Sequence, residues 1–517
     1  MTHSVPFLTL LILLPAAGAL GLALLGFDRR FNKELADALG ILVSLATLVI
    51  AVVALVTMKE HFGGYQLVSN HTYTGEALGV RWFLGVDGIS IFLVLLTVVL
   101  FPIVLLLGQS KTNSRAYAAW MLLLEAAVLG SFLSLDLIVF FLFFELTLVP
   151  SYFIIAGWGH ERRAYAAVKF FLYTFLGSAF LLVGILALAF IHQSQTHVLT
   201  FSLTALEHTH LSSSTEILLF LAFTSAFAIK APLFPFHTWS PDAYTEAPAG
   251  GSVVLSGVLA KLGTYGIIRF DLNLFPHATR TLAPLILTLA VIGIIYGAIV
   301  ACAQRDMKRL VTYSSLAQIG FIALGTFALS TQGLSGAVLL MLNHGLIVGG
   351  LFFVIGFIYE RRGTWQTGEL RGLQKVAPVM AGVFTVLMMA SIGVPGLNGF
   401  VSEFLVLVGT FLTHRWWAVV AVIGVIVAAI YLLWAYQQVF HGVPKPEDEK
   451  TRDLSWMERV AVAPLIILIV FLGVFPKPVL DRIDPSVNEL VAHVEKATGH
   501  YQPAVATRGP AAAEGRP

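Results

Sequence analysis

Seven side chains able to take up or release a proton sit inside long apolar runs of this sequence: Glu125, Glu145, Lys230, His237, Lys261, His344 and Glu403. A charge at the centre of a bilayer costs roughly 2.5–3.5 kcal/mol on insertion scales, and residues kept there despite that cost usually mark ion pathways or proton relays. Glu145 lies in Phe143-Phe144-Glu145-Leu146-Thr147, near the middle of its run, and Lys230 in Ala228-Ile229-Lys230-Ala231-Pro232. A carboxylate and an ammonium that approach and recede change each other's hold on a proton, so the chemistry on offer is proton transfer. A lone buried ion pair serves equally well to hold helices together. A series of acids and bases spread over several helices favours transport. Asp136, at the edge of a run, reads as a helix cap.

Three of these residues lie at two predicted breaks. Pro232 cannot donate to the carbonyl of Ala228, nor Pro235 to that of Ala231. In a membrane, backbone with such freed groups is tolerated only where it is packed in protein or lines a wet cavity. Lys230 and His237 therefore border a break able to admit water. Pro395 and Gly396 make a second break, and Glu403 follows seven residues after Gly396. The stretch Ala249-Gly250-Gly251-Ser252 ahead of Lys261 reads as close helix packing rather than a phosphate cradle, because no strand precedes it.

The elements that must position these residues are membrane helices. Of 517 residues, 57% are apolar and 12% charged, against ~25% charged in an average soluble chain. Runs of ~20 mostly apolar residues fall at 6–27, 38–58, 88–108, 116–132, 136–157, 165–191, 217–239, 248–268, 281–302, 308–328, 333–358, 377–411, 416–440 and 456–476. The expectation is an all-α integral membrane protein of about 14 transmembrane helices. Its first run carries no basic residue before it and is long enough to span, so it reads as a retained helix rather than a signal peptide. The run 377–411 is too long for one straight crossing and reads as two half-helices. The tail from about Gln502 is rich in Pro, Ala and Gly and reads as disordered.

Odd-numbered loops hold 19 of the 31 Lys and Arg and the other side holds 10, which puts the odd loops in the cytoplasm and both termini outside. The remaining two are Lys230 and Lys261. A net charge of +2 gives no nucleic-acid footprint, and the single cysteine, Cys302, cannot ligate an iron–sulfur cluster within this chain.

Broken helices in corresponding positions of two halves point to a transport site. Helices 7 and 12 are five apart, and an odd spacing inverts one copy relative to the other. Two inverted five-helix repeats follow, helices 4–8 and 9–13. The chain then divides into 1–110, 111–270, 271–442 and 443–517, the last being helix 14 and the tail. Each repeat carries one half-channel. Lys230 belongs to the first, Glu403 to the second, and Lys261 and His344 lie between.

At these residues the chain resembles the antiporter-like subunits of respiratory complex I. The resemblance rests on Lys230-Ala-Pro-Leu-Phe-Pro-Phe-His237 through Lys261-Leu-Gly-Thr-Tyr-Gly-Ile-Ile-Arg269, on Arg309-Leu-Val-Thr-Tyr-Ser-Ser-Leu-Ala-Gln318-Ile-Gly-Phe321, and on Gly393-Val-Pro-Gly-Leu-Asn-Gly-Phe-Val-Ser-Glu403. It covers nearly the whole chain. Glutamate rather than lysine at position 403 resembles the type called M in bacteria and 4 in mitochondria. So does the lack, after residue 476, of a segment apolar enough for a long lateral helix. The resemblance implies that Glu145, Lys230, Lys261 and Glu403 handle protons. Where many relatives have histidine, this chain has Gln318, which implies a water-mediated step there. The resemblance further implies a proton-translocating subunit with no cofactor of its own, in a bacterial plasma membrane. Flavin, iron–sulfur clusters and quinone reduction belong to partner subunits, and neighbouring antiporter-like subunits and lipid surround it. Related alternatives are a subunit of a multi-subunit sodium/proton antiporter and a subunit of a proton-translocating membrane hydrogenase. A third is a scaffold whose charges only join helices.

Overall fold

The computed structural model describes residues 6–24, 33–71, 78–108 and 113–499. The tail from Gln502, and Arg29, Arg30 and Lys111 of the orientation count, lie outside them. The described helices of seven residues or more are α1 (Phe7–Leu24), α2 (Lys33–Thr57), α3 (Ser90–Leu107), α4 (Ser114–Leu133), α5 (Leu137–Trp158), α6 (Arg163–Thr196), α7a (Ser213–Lys230), α7b (Ser240–Glu246), α8 (Ala249–Leu274), α9 (Pro276–Cys302), α10 (Met307–Phe327), α11 (Thr331–Arg362), α12a (Pro378–Ile392), α12b (Asn398–Thr413), α13 (Arg415–Phe440), α14 (Trp456–Val474) and α15 (Lys477–Ala497). Thirteen are long and apolar enough to cross a membrane, and α12a with α12b make a further, broken crossing.

Both predicted breaks are present. Between α7a and α7b the freed groups find partners: the carbonyl of Ala228 accepts from Leu233 N at 2.9 Å, and that of Ile229 from Trp239 Nε1 at 2.9 Å. Between α12a and α12b, Gly393 and Gly396 take φ of 80° and 92°, which only glycine adopts without strain. A cavity of about 210 Å³ lies against the first break, but Leu221, Ala228, Leu233 and Phe234 make its wall apolar, and neither Lys230 nor His237 lines it.

Two helices are interrupted where no break was predicted. Helix α5 divides into Leu137–Leu146 and Leu148–Trp158, because Pro150 lacks the N–H that the carbonyl of Leu146 needs. Helix α8 widens at Leu255–Leu259 and again at Ile267–Asp271, and in the first wide turn Ala260 N reaches back to Leu255 O. Single wide turns of this kind recur at functional sites.

Two elements were not predicted. Residues 477–497 form an amphipathic helix whose buried face, including Ile483, Val487 and Val494, packs on the body of the protein. Strands β1 (Gln66–His71) and β2 (Trp82–Val86) form an antiparallel hairpin between α2 and α3.

Burial ranks the helices. α8 and α11 are apolar and buried on every side, which marks interior helices, while α2 and α14 leave side chains such as Val56 and Ile467 exposed. Helices α5 and α10 start alike. Asp136 caps α5 through Ile138 N and Val139 N, and its backbone bridges Ser202 in the connection before α7a. Asp306 caps α10 through Arg309 N and bridges Gln366 in the connection before α12a. The small stretch before Lys261 is packing: a Cβ on Gly250 meets Tyr117 Oη at 2.6 Å.

The broken helix α7 touches α8 at Gly263, where an added Cβ comes within 2.3 Å of Phe227 O and 2.5 Å of Ala231 N. Alanine in place of glycine ordinarily raises helix stability by about 1 kcal/mol, whereas overpacking costs ~1–3 kcal/mol. Gly263→Ala is expected to lower the thermal midpoint of the purified protein in detergent by several degrees. Gly157→Ala, with nothing within 4 Å of the new Cβ, is expected to hold or raise it.

Candidate functional site

Lys230 ends α7a and is buried at 2% exposure. Its Nζ donates to Thr147 Oγ1 at 2.8 Å and sits 4.7 Å from the centre of the Phe144 ring. Thr147 is the residue at which α5 divides, two positions after Glu145. Glu145 and Lys230 flank this joint, yet no ion pair within 4.0 Å joins them, and Glu145 Oε1 is buried without a partner. The two charges still act on each other across this gap, while the ammonium's own contacts are a hydroxyl and an aromatic face.

Lys261 occupies the centre of α8, fully buried. Its Nζ donates to Ser256 O at 2.7 Å and lies 2.7 Å from His344 Nδ1. The wide turn of α8 lets the side chain fold back onto that carbonyl. His344 comes from α11, so this contact joins the two fully buried helices. On α10, Gln318 Nε2 donates to Glu403 Oε1 of α12b at 2.7 Å, while Gln318 Oε1 is buried without a partner. The other carboxylate oxygen of Glu403 lies where a Cβ on Gly393 would stand, 2.5 Å from it, so the glycine of the break makes room for the acid.

Polar side chains connect the two groups. Ser256 Oγ lies 3.0 Å from Ser315 Oγ, one turn before Gln318 on α10. Asn343, beside His344, donates to Asn398 O at 2.8 Å and to Ser402 Oγ at 3.2 Å, and Ser402 precedes Glu403. Lys261, His344, Gln318 and Glu403 are thus brought into one buried polar band.

The remaining predicted residues stand apart. His237 is buried against the rings of Phe234 and Tyr296, with Nδ1 unpartnered, and touches neither Lys230 nor Glu145. Glu125 is buried in α4 and accepts from Ser44 of α2 at 3.0 Å, with no bond to another member of the set.

The family model described as NADH:quinone oxidoreductase/Mrp antiporter, transmembrane, matches residues 134–429, which contain every residue of this band. NADH-quinone oxidoreductase subunit M of Mycobacterium tuberculosis is 40% identical, over 99% of this chain and 98% of its own length. The chain belongs to the NADH-quinone oxidoreductase subunit M family. The subunit M of Rhodobacter capsulatus is 39% identical over 96% of this chain and 99% of its own, and NADH-ubiquinone oxidoreductase chain 4 of Arabidopsis thaliana 38% over 93% and 96%. Among solved structures, a chain of respiratory complex I from Thermus thermophilus superposes with a TM-score of 0.85 at 32% identity, covering 94% of this chain and 99% of that one. A chain of the Mrp complex from Dietzia sp. DQ12-45-1b shares the fold, with a TM-score of 0.84 at 22% identity, covering 95% of this chain and 98% of that one.

In this subunit M family member, sequence reasoning missed the hydroxyl and amide groups of the band, because Thr147, Ser256, Ser315, Asn343 and Ser402 carry no charge to mark them. It also missed Arg269, which the predicted end of a span at 268 consigned to a loop. Helix α8 runs on to Leu274, and Arg269 is buried there, paired with Asp87 at 2.7 Å and bonded to the hydroxyls of Tyr65 and Tyr265 at 3.1 Å each. The signal was the apolar run on either side of Arg269, which continues the helix past it. Asp271, two residues on, is also buried and accepts from Thr224 at 2.6 Å.

Removing one partner of a buried ion pair costs ~3–5 kcal/mol, because the other charge is left uncompensated. Arg269→Met is therefore expected to lower the yield and thermal midpoint of the folded protein sharply. The double change Arg269→Met with Asp87→Asn is expected to restore most of both, and detergent-extracted yield with thermal midpoint reads the difference.

Proposed function

We propose that this chain translocates protons as an antiporter-like subunit M of a membrane NADH:quinone oxidoreductase, complex I. The observation that carries the reading is the 2.7 Å contact of Lys261 with His344 at the centre of the buried band. It lies between the Glu145–Thr147–Lys230 group and the Gln318–Glu403 pair. Protons enter one half at Lys230, pass along Lys261 and His344, and leave from Glu403 in the other half. His237 and Glu125 are auxiliary sites in this scheme. The likeness of the capped and bridged starts of α5 and α10 supports two inverted repeats, α4–α8 and α9–α13, within the divisions 1–110, 111–270, 271–442 and 443–517. In such a repeat Gln318 and Glu403 of the second half stand where Glu145 and Lys230 stand in the first.

NADH oxidation and quinone reduction belong to partner subunits that hold the flavin and the iron–sulfur clusters. Neighbouring antiporter-like subunits and lipid cover the exposed apolar faces. The excess of Lys and Arg in the odd-numbered connections supports an orientation with those connections in the cytoplasm of a bacterium and both termini on the outer side of its plasma membrane. Moving one charge against 100 mV takes ~2.3 kcal/mol, which is on the scale of opening one buried charge pair. Glu145 and Lys230, flanking the same joint but held apart, are such a pair in its open arrangement.

Two outcomes test the reading. In sealed vesicles driven by NADH, the Lys230→Ala complex is expected to assemble on a native gel yet lose both turnover and proton uptake. Normal pumping by an assembled Lys230→Ala complex assigns the charges to structure and the protons to other subunits. At the second pair, Gln318→His keeps a donor for Glu403 and is expected to retain most turnover. Gln318→Leu removes the donor, and its expected effect is a loss of NADH-driven turnover of tenfold or so, as ~1.4 kcal/mol of displaced equilibrium gives; equal rates for the two variants would sink this role for Gln318.

A further inference from the structure

We infer that Lys308 and Asp242 clamp α7b to α10, so that a movement at Lys230 is carried to the Gln318–Glu403 pair. The inference rests on the proton-transport reading and adds to it the route by which its two half-sites are kept in step.

The clamp has two ends, and one turn of α10 supplies both. At one end, Asp242 of α7b shares its carboxylate: Oδ2 pairs with Lys169 of α6 at 2.7 Å and Oδ1 with Arg309 of α10 at 3.3 Å. At the other end, the carbonyls of Thr245 and Ala247 accept from Lys308 Nζ at 2.9 Å and 2.6 Å. The last carbonyls of a helix have no partner within it, so the ammonium of Lys308 supplies a donor to the carbonyl of Thr245, and it shares that of Ala247 with Ser252 Oγ, which stands 3.4 Å away. Lys308 is itself 1% exposed and lies 5.1 Å from the centre of the Trp365 ring. Lys308 and Arg309 are consecutive, and together they grip seven residues of α7b from both ends.

Each side of the clamp leads to one half-site. α7b folds back on the end of α7a: Trp239 Nε1 donates to Ile229 O, the residue before Lys230, and Ser240 N donates to His237 O at 3.0 Å. From Arg309, α10 runs without interruption to Gln318, about 13.5 Å along its axis at 1.5 Å per residue. Close-packed interiors transmit displacement rather than absorb it. On this inference the Asp242 carboxylate, which in this structure stands nearer Lys169 of the first half than Arg309 of the second, shifts toward Arg309 and draws α10 with it.

A clamp that only stabilises the fold and a clamp that couples the half-sites differ in one readout, the number of protons moved per NADH oxidised, which is independent of how much complex assembles. The test is NADH-driven proton uptake by the whole complex in sealed vesicles, comparing wild type, Lys308→Met, Asp242→Asn and Lys230→Ala. The expected result is an assembled Lys308→Met complex that still oxidises NADH but moves fewer protons per NADH, by the share this subunit carries. Where Lys308→Met does not assemble, Asp242→Asn decides, since that carboxylate is partly exposed, and the same fall is expected of it. A wild-type ratio in the assembled clamp variant, with pumping lost in Lys230→Ala, overturns the coupling role alone. Wild-type pumping in the clamp variant and in Lys230→Ala overturns the coupling and the transport reading together.

Discussion

A polar group in hydrocarbon has no water to fall back on, so each one must find a partner inside the protein or cost several kcal/mol. That constraint organises this structure more than helix propensity does. At the break of α7 the prolines free backbone carbonyls, and Leu233 N and the indole of Trp239 take them up. At the joint of α5 the hydroxyl of Ser151 donates to Thr147 O at 2.7 Å. At the end of α7b the ammonium of Lys308 does the same service. Lys261 and His344 sit on α8 and α11, the two crossings buried throughout.

The buried charges divide into two kinds. Arg269 and Asp87 are locked, with the guanidinium bonded to a carboxylate and two tyrosine hydroxyls and the carboxylate also accepting from Ile89 N and Ser90 N. Guanidinium does not give up its proton in proteins, which suits a permanent tie. Lys230 and Lys261 are held by neutral groups, the first by a threonine hydroxyl and a phenyl face, the second by a carbonyl and an imidazole. An ammonium on neutral acceptors can lose its proton without leaving an orphaned carboxylate behind. On the transport reading, arginine fixes the frame and lysine does the work, and the residue types follow from that difference.

The two halves share construction and differ in chemistry. Asp136 and Asp306 open α5 and α10 with similar caps and similar bridges to the connection ahead of a broken helix. Yet the first half carries an acid and a base at its joint, held apart, and the second carries an amide and an acid, held together. Gln318 cannot be an ion, so the α10–α12b pair has one ionisable group where the α5–α7a pair has two. On the proposed reading of two repeats, a like frame carrying unlike side chains is why their sequences match only faintly.

Hydropathy and proline placement in the sequence determined the membrane class, nearly all the crossings, both major breaks, and the identity of Glu145, Lys230, Lys261 and Glu403 as charges that needed explaining. These are local consequences of side-chain solubility and of a missing N–H. The interruption of α5 was equally local, resting on Pro150, but a single proline is a weak signal. The helix at 477–497 escaped a search for continuous apolar runs because only one of its faces is apolar. Tertiary structure alone decided the pairings: Lys230 on Thr147 rather than on Glu145, Lys261 on His344, Gln318 on Glu403, and Arg269 in the interior rather than in a loop. The physical reason is distance along the chain. The Lys230, Lys261 and Gln318 partners stand 83, 83 and 85 residues apart, and no periodicity records which buried group faces which until the helices pack.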